Sequence, residues 1–451
     1  MPKRGEQARF ALQISHSPDN TVDRKDRHIF AKVPFHSFSF SRLRLDICRL
    51  ITLMPSMPTL ILFDDPVIRT ALLPLTFTRP VAGIRIGTLT LAEKWASATG
   101  QTPSYLTEAY LQTKFPLLVD ADHWYINGAV CPTDALVETI SALPPDTGLI
   151  THDGLVLAVR TSQIRTTAPT VNDGCPFRTF MEPLTIVRNL WDIFLHNGDQ
   201  LRADFTRLTS GRTSEPIIDP FTRCYAPENI FVEPGATIRA AILNAEGGPI
   251  YIGRDATISE GSIVIGPFSL GEGSTVNWGG KMRSNTTIGP FCKVGGEVGN
   301  SVLMGYSNKG HDGFLGNSVI GEWCNLGANV NNSNMKNDYS NVKLHSYATD
   351  RLEDTGRIFC GLMMGDFTKA GISTMFNTGT VVGVSANVFG AGFQHKHVPS
   401  FSWGGAAEGI TPYRIEKALQ VAKEAFTRRN KAFDDVEESI LRFIFSMIHG
   451  K

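Results

Sequence analysis

The sequence predicts an α/β N-terminal domain followed by a left-handed parallel β-helix of hexapeptide repeats and a C-terminal helical tail. Three observations carry this. Strand-like apolar runs ("TLILF", "GLITHDGLVLAV") alternate with helical ones ("TLAEKWASA", "TDALVETISAL") between about residues 57 and 224, the alternation of an α/β domain. From about residue 230 glycine becomes frequent and isolated aliphatic residues recur every six positions. After "PSFSWGG" the apolar spacing turns helical.

A chain of 451 residues exceeds what one core usually serves. The expected division is 57–225 for the α/β domain, 226–403 for the β-helix and 404–451 for the tail. Residues 1–56 stand apart: they hold ten Lys/Arg against five Asp/Glu, show little periodicity, and lack a signal-peptide pattern. Met54 and Met57 precede "PTLILFDD", which reads as a first buried strand. The expectation for 1–56 is a disordered extension or a start assigned too far upstream, with a functional basic arm as the alternative.

Charge excludes some classes. Lys+Arg and Asp+Glu both number 43, so there is no electrostatic case for nucleic acid or an anionic membrane surface. No apolar run reaches the length of a membrane span. Seven cysteines are scattered from Cys48 to Cys360 without a CxxC pair, which reads as reduced thiols in the cytoplasm.

The repeat is explicit. Ile252, Ile258, Val264, Leu270 and Val276 form an unbroken series, and Ile288/Val294, Ile320/Leu326 and Val382/Val388 repeat it. A period of six fits a coil of three short faces, one aliphatic side chain per face pointing inward, with small or turn-tolerant residues at the corners. Each coil contacts mainly its neighbours, so strand edges and ends need cover, which trimerisation and a terminal cap commonly supply. The series breaks between Val302 and Val342, where a polar loop at 306–313 and an Asn-rich loop at 329–341 flank two intact repeats. Loops extruded from a rigid scaffold are natural places for binding residues.

Within that break, "KGHDGFLGNSVIGEWCNLGANVNNSN" resembles the acetyltransferase segment of the bifunctional N-acetylglucosamine-1-phosphate uridyltransferase/glucosamine-1-phosphate N-acetyltransferase family. The resemblance places His311 on the general-base histidine, Asn325, Gly327 and Ala328 on the family's N-x-G-A, Asn334 on a substrate-contacting Asn, and Lys343 on a lysine near the sugar phosphate. Phe314 replaces the usual Tyr, and Asn329 replaces the second glycine of G-A-G. The residue types suit the chemistry: an imidazole with near-neutral pKa takes a proton from an attacking amine, and backbone N–H groups and amides steady the rest. Asn325 is also readable as a turn residue, since Asn tolerates left-handed geometry. The resemblance further implies acetyl-CoA as donor, an amino-sugar phosphate as acceptor and a homotrimer, with Lys369 and Thr380 as candidate acetyl-CoA contacts.

Upstream, "LLPLTFTRPVAGIRIGTLTLAEKW" resembles the sugar-nucleotidyltransferase signature, so a Rossmann-like nucleotidyltransferase domain is expected from about Met57. In that family a Gly-rich loop and a Pro-Lys pair hold the nucleoside triphosphate, and an N-G-D aspartate holds magnesium. Here "FDDPVIRTALLPLT" occupies the loop position without a glycine, Pro80-Val81 replaces Pro-Lys, and "INGAV" puts Ala129 at the aspartate's place. Arg69, Arg79 and Arg85 are candidate replacements for the phosphate contacts, and Asp64 and Asp65 for the Mg2+ ligands; the alternative is that they are structural remnants.

In the tail, Thr411 reads as a helix cap with Pro412 in the first turn. Ile415, Leu419, Ala422 and Phe426, then Ile440, Phe443, Ile444 and Met447, form apolar stripes expected to pack on the solenoid or a neighbouring subunit. His395 and His397 read as loop residues, there being no carboxylate or Cys cluster beside them. Three readings stand at this point: an acetyltransferase with a divergent nucleotidyltransferase domain attached, an enzyme acting mainly by nucleotidyl transfer to a sugar 1-phosphate with UTP or dTTP, and a non-catalytic trimeric scaffold or sensor.

Overall fold

In a computed structural model, residues 57–450 are described; the expectation for 1–56 lies outside them. Met57–Lys451 form one compact unit. Its α/β part opens on β1 (Thr59–Phe63) and α1 (Pro66–Ala71). Then come α2 (Leu91–Thr99), β2 (Ser104–Leu106), β3 (His123–Asn127), α3 (Asp134–Ser141), β4 (Thr147–Ile150), β5 (Val156–Thr161), β6 (Phe177–Thr179), α4 (Leu190–Leu195) and α5 (Asn197–Thr209). The sheet is mixed, in order β2-β1-β3-β5-β4-β6, with β1, β2 and β3 parallel. β1 and β3 are buried on both faces, which is why "TLILF" and "HWYIN" lack polar alternation. Local signals set the helices: Thr90 and Glu93 close a capping box on α2, which ends at left-handed Gly100.

The fold class expected from the repeats is the one found. Three parallel sheets form the sides of the solenoid. The first side runs from Arg223–Tyr225 to Phe314–Gly316, the second from Ile230–Val232 to His397–Val398, and the third from Thr237–Ile238 to Ser402–Gly405. The predicted series Ile252, Ile258, Val264, Leu270, Val276, Ile288 and Val294 is fully buried in one interior cluster. Between coils, a hairpin (Lys343–Ser346 with Arg351–Asp354) leaves the solenoid.

Two of the three sides are covered over part of their length. On the second side the outward positions are also apolar (Val302, Met304, Val319, Met363, Val381), and they join the core of the α/β part. Polar ties fix that contact. Arg85 donates from Nε to the Met304 carbonyl (3.0 Å), Thr287 Oγ1 to the Gly87 carbonyl (2.9 Å), and Asn197 Nδ2 to the Asn285 carbonyl (2.9 Å). Gly87 sits at φ +73°, where a Cβ would lie 2.5 Å from Asp204 Oδ2, so no other residue fits this turn.

The later coils of the third side are flanked by α6 (Ile415–Thr427) and α7 (Asp435–His449). The corner beside it carries Phe291, Tyr306, Trp323 and Phe367, all at positive φ and stacked one above the next. Phe426 of α6 stacks on Trp323 with centroids 4.0 Å apart. Leu419, Ala422, Phe426, Ile440 and Ile444 of the tail stripes are therefore buried within the chain, while Phe443 stacks on Tyr110 of the α/β part and Met447 is exposed. The start of α6 is a correction: Gly409–Pro412 pairs antiparallel with Ser402–Gly405, and the helix begins at Ile415 with Arg414 before it. Thr411 Oγ1 bonds the Trp403 carbonyl (3.2 Å), so the strand pairing holds it in place of a cap. Phe426→Ala should cost about 3–5 kcal/mol through the lost ring and the cavity left behind. Thermal melting and faster proteolysis after residue 405 would check it; an unchanged melt would mean the helices do not hold this corner.

Candidate functional site

Of the segment expected as a polar loop at 306–313, Asn308–Lys309 is a strand of the third side, and only residues 310–313 cross the corner to strand Phe314–Gly316 of the first side. His311 projects there, exposed, with no ring hydrogen bond. The carbonyls around it are all engaged. Asn277 Nδ2 donates to Gly310 O (2.7 Å), Lys309 Nζ to His311 O (2.8 Å), Asn329 N to Asp312 O (3.0 Å) and Glu297 N to Gly313 O (3.2 Å). A fixed backbone thus presents a free imidazole. The cleft beneath it, about 380 Å³, is lined by His311, Asn277, Lys293, Asn308, Asn325 and the Gly327–Ala328 segment.

This cleft runs into a longer groove of about 730 Å³ between the solenoid and α6; Lys293, Asn308 and Asn325 line both. The far wall brings Lys417, Arg428 and Arg429 of the tail, with Lys369 on the floor. Arg429 Nη2 donates to Asn308 Oδ1 (2.9 Å), tying tail to solenoid. Lys369 donates to the Trp323 carbonyl, and burial pushes its pKa down. The groove is net basic, an arrangement that suits an anionic, extended ligand.

The sequence-predicted residues divide. His311 and Asn325 share the cleft, and Lys369 lines the adjoining groove. Asn325 lies in a strand; the left-handed corner belongs to Asn329 (φ 56°), which explains how Asn stands in for glycine there. Phe314 and Asn334 meet in a different cleft, with Arg283, Asn300 and Asn317, across the first side from His311. They close over Gly316, where a Cβ would lie 2.5 Å from the Phe314 ring. Lys343 is exposed on the hairpin and lines neither cleft. Thr380 is buried and bonds the Asn377 carbonyl (3.0 Å), away from the groove. Sequence reading missed Lys293, Lys417, Arg428 and Arg429; the residues 417, 421, 424 and 428 share one helix face, a signal open to inspection.

The α/β part buries Asp64, Arg69, Arg79 and Arg85 and leaves Asp65 half-buried at the start of α1. Asp64, at the end of β1, accepts from Arg69 Nη1 (2.8 Å), Thr107 Oγ1 (2.6 Å) and Val81 N (2.8 Å). Asp65 caps α1, accepting from Val67 N and Ile68 N (both 3.0 Å). The segment expected as a phosphate loop is thus a helix. Open α/β sheets bind ligands at the carboxyl ends of their parallel strands, and here Val81 and Ala82 fill that crevice, fully buried. Arg69 is buried on Asp64 and the Thr76 carbonyl. Arg79 reaches the solenoid, paired with Asp366 and, at 3.3 Å, with Glu322. Burial works to lower its pKa, and the Asp366 and Glu322 charges more than reverse that. Ala129 is fully buried. The donor set needed for Mg2+ does not fit: both oxygens of Asp64 are engaged, Asp65 is turned to its helix cap through Oδ1, and among the described residues no group of three His, Cys, Asp or Glu is placed to hold a metal.

His397 stacks on His345 with centroids 3.5 Å apart, in a short strand with Val398 rather than in a loop. Among the described residues no helix is long and apolar enough to cross a membrane, and Cys131, Cys175, Cys224, Cys292, Cys324 and Cys360 form no disulfide.

Residues 60–213 match a family model described as sugar nucleotidyl transferase. No curated protein matches the chain. Among solved structures, the polySia-specific acetyltransferase NeuO is similar at 13% identity, covering 46% of this chain and 96% of its own, with a TM-score of 0.26. The Arabidopsis UDP-N-acetylglucosamine acyltransferase is similar at 12% identity (51% and 92% covered, TM-score 0.22). A point mutant of perosamine N-acetyltransferase from Caulobacter crescentus, in complex with CoA and GDP-perosamine, is similar at 10% identity (78% and 96% covered, TM-score 0.15).

Proposed function

We propose that the solenoid is an acyltransferase that moves an acetyl group from acetyl-CoA to the amine of an amino-sugar phosphate, with His311 as general base. One observation carries this reading: the cleft under His311 is continuous with a basic groove walled by α6. The phosphates of an extended acyl-CoA meet Lys293, Lys417, Arg428 and Arg429, which directs the thioester toward His311. The imidazole takes a proton as the amine nitrogen bonds to the thioester carbon. The tetrahedral intermediate then collapses, breaking the C–S bond and releasing the CoA thiolate, which is protonated from solvent or from the imidazolium. Asn325, which lines the same cleft, supplies an amide for orienting either substrate.

The first side, uncovered among the described residues, supports a homotrimer in our reading. Ile242, Ile263 and Ile265 stand outward and exposed there, on strands several coils before the one that carries His311 and Phe314. A neighbour on that side brings its Phe314 and Asn334 toward His311, which supplies the acceptor contacts that one chain keeps apart. The unpaired thiols fit a reducing, cytoplasmic setting.

A second reading, nucleotidyl transfer to a sugar 1-phosphate from UTP or dTTP, is favoured by the family match over 60–213. The filled crevice and the absent magnesium set weigh against it. Two assays on the full chain separate the readings. Thiol release from acetyl-CoA with glucosamine 1-phosphate, then with a panel of amino-sugar phosphates, should show turnover. Pyrophosphate release from UTP or dTTP with a sugar 1-phosphate and Mg2+ should not. The reverse pattern would overturn the assignment.

A further inference from the structure

Lys309 occupies a position built for an aliphatic side chain. In the third side, Ile238, Ile258, Val276 and Val294 stack inward in register, and Lys309 pairs directly above Val294. Leu326, Ala370 and Val388 continue the column above it. Lys309 is 1% exposed, and among the described residues no carboxylate lies within ion-pairing distance of it. Its Nζ donates to two carbonyls: His311 O at 2.8 Å and, more weakly, Gly295 O at 3.3 Å. Burial lowers its pKa to about 8, with Asp312 acting in the opposite direction. An amine placed in an apolar column costs stability that a methionine or leucine would not. It stands in the one coil that carries His311, two residues before it.

We propose that Lys309 is a positioning residue for His311, clamping the His311 carbonyl from inside the solenoid so that the loop presents its imidazole in one orientation. The inference rests on the His311 cleft being the reactive site. The other carbonyls of the loop are held by an amide or by backbone N–H groups that any repeat could supply; the carbonyl of His311 itself is held by the lysine. Because Lys309 does not line the cleft, it acts through His311 and touches no substrate.

The test uses full-length Lys309→Met, which keeps the length and apolar stem of the side chain and removes the donor. Amide hydrogen exchange at 311–314 should accelerate at least tenfold, while protection in strands 286–288 and 319–322 stays unchanged. With an amino-sugar phosphate that supports turnover, kcat should fall about ten- to hundredfold, with KM for acetyl-CoA within twofold. Unchanged exchange at 311–314 overturns the clamp, whatever the activity. If no acceptor supports turnover in wild type, the acyltransferase reading fails, and the exchange result still decides the clamp. If Lys309→Met does not fold, Lys309→Leu, which restores the aliphatic type of the column and likewise removes the donor, takes its place in the same exchange measurement. Unchanged exchange at 311–314 in that variant overturns the proposal.

Discussion

Arg79→Ala should destabilise the protein by about 3–5 kcal/mol, because it leaves a buried carboxylate without its counter-charge. Arg79 and Asp366 are 5% and 2% exposed, and Glu322 shares the guanidinium at 3.3 Å. Without the arginine, Asp366 keeps only the Thr78 hydroxyl (2.6 Å) and the Glu322 N–H (2.8 Å). Burial already pushes the Asp366 carboxyl upward, with Arg79 pulling it back down. Removing Arg79 therefore raises its folded-state pKa further above the unfolded value. A raised carboxyl means the folded state binds more protons, so stability returns as pH falls and is lost as pH rises. The deficit of Arg79→Ala should be larger at pH 8 than at pH 5. Arg79→Met with Asp366→Asn should lose less than Arg79→Ala alone, since no charge is then stranded. Urea unfolding at the two pH values measures this; a pH-independent loss below 1 kcal/mol would mean the pair does not fix the α/β part to the solenoid.

That pair shows why the first part of the chain was harder to read than the second. A period of six needs only local sequence, and each interior residue it named, from Ile252 to Val294, is buried. The cover on the second side was also written locally, in "SVLMG", "SVIGE" and "GLMMG", where apolar residues occupy outward as well as inward positions. One inward residue per face explains only half of such a run. Arg79, by contrast, looks the same in sequence whether it meets a phosphate or Asp366, which lies 287 residues away. The long-range partner decides its role, and no spacing rule reaches that far. Asp64 and Asp65 misled for a related reason: a carboxylate after a strand serves equally to bind a metal, to cap a helix or to hold a turn. Lys309 was visible, since it falls six residues after Leu303, on the repeat itself. The shortened coil between Ile288 and Leu303 hid the register.

The largest effect on activity is expected from His311→Ala. Removing a general base typically costs about 10²–10⁴-fold in rate, and the loss should fall on kcat with KM for acetyl-CoA little changed, since the basic groove we propose for the donor is intact. Stability should not move: the imidazole is exposed and makes no hydrogen bond, and the carbonyls that shape its loop are held by other groups. Rescue by added imidazole separates catalysis from simple crowding of the cleft: a missing base can be replaced in part by a small base from solution, so imidazole should restore some of the rate of His311→Ala. A variant within threefold of wild type, or one that imidazole does not rescue, would move the proton transfer to another group, and the amine would have to arrive already neutral. Asn325→Ala gives the contrasting pattern: it faces the same cleft and is no base, so its loss should lower rate without rescue by imidazole.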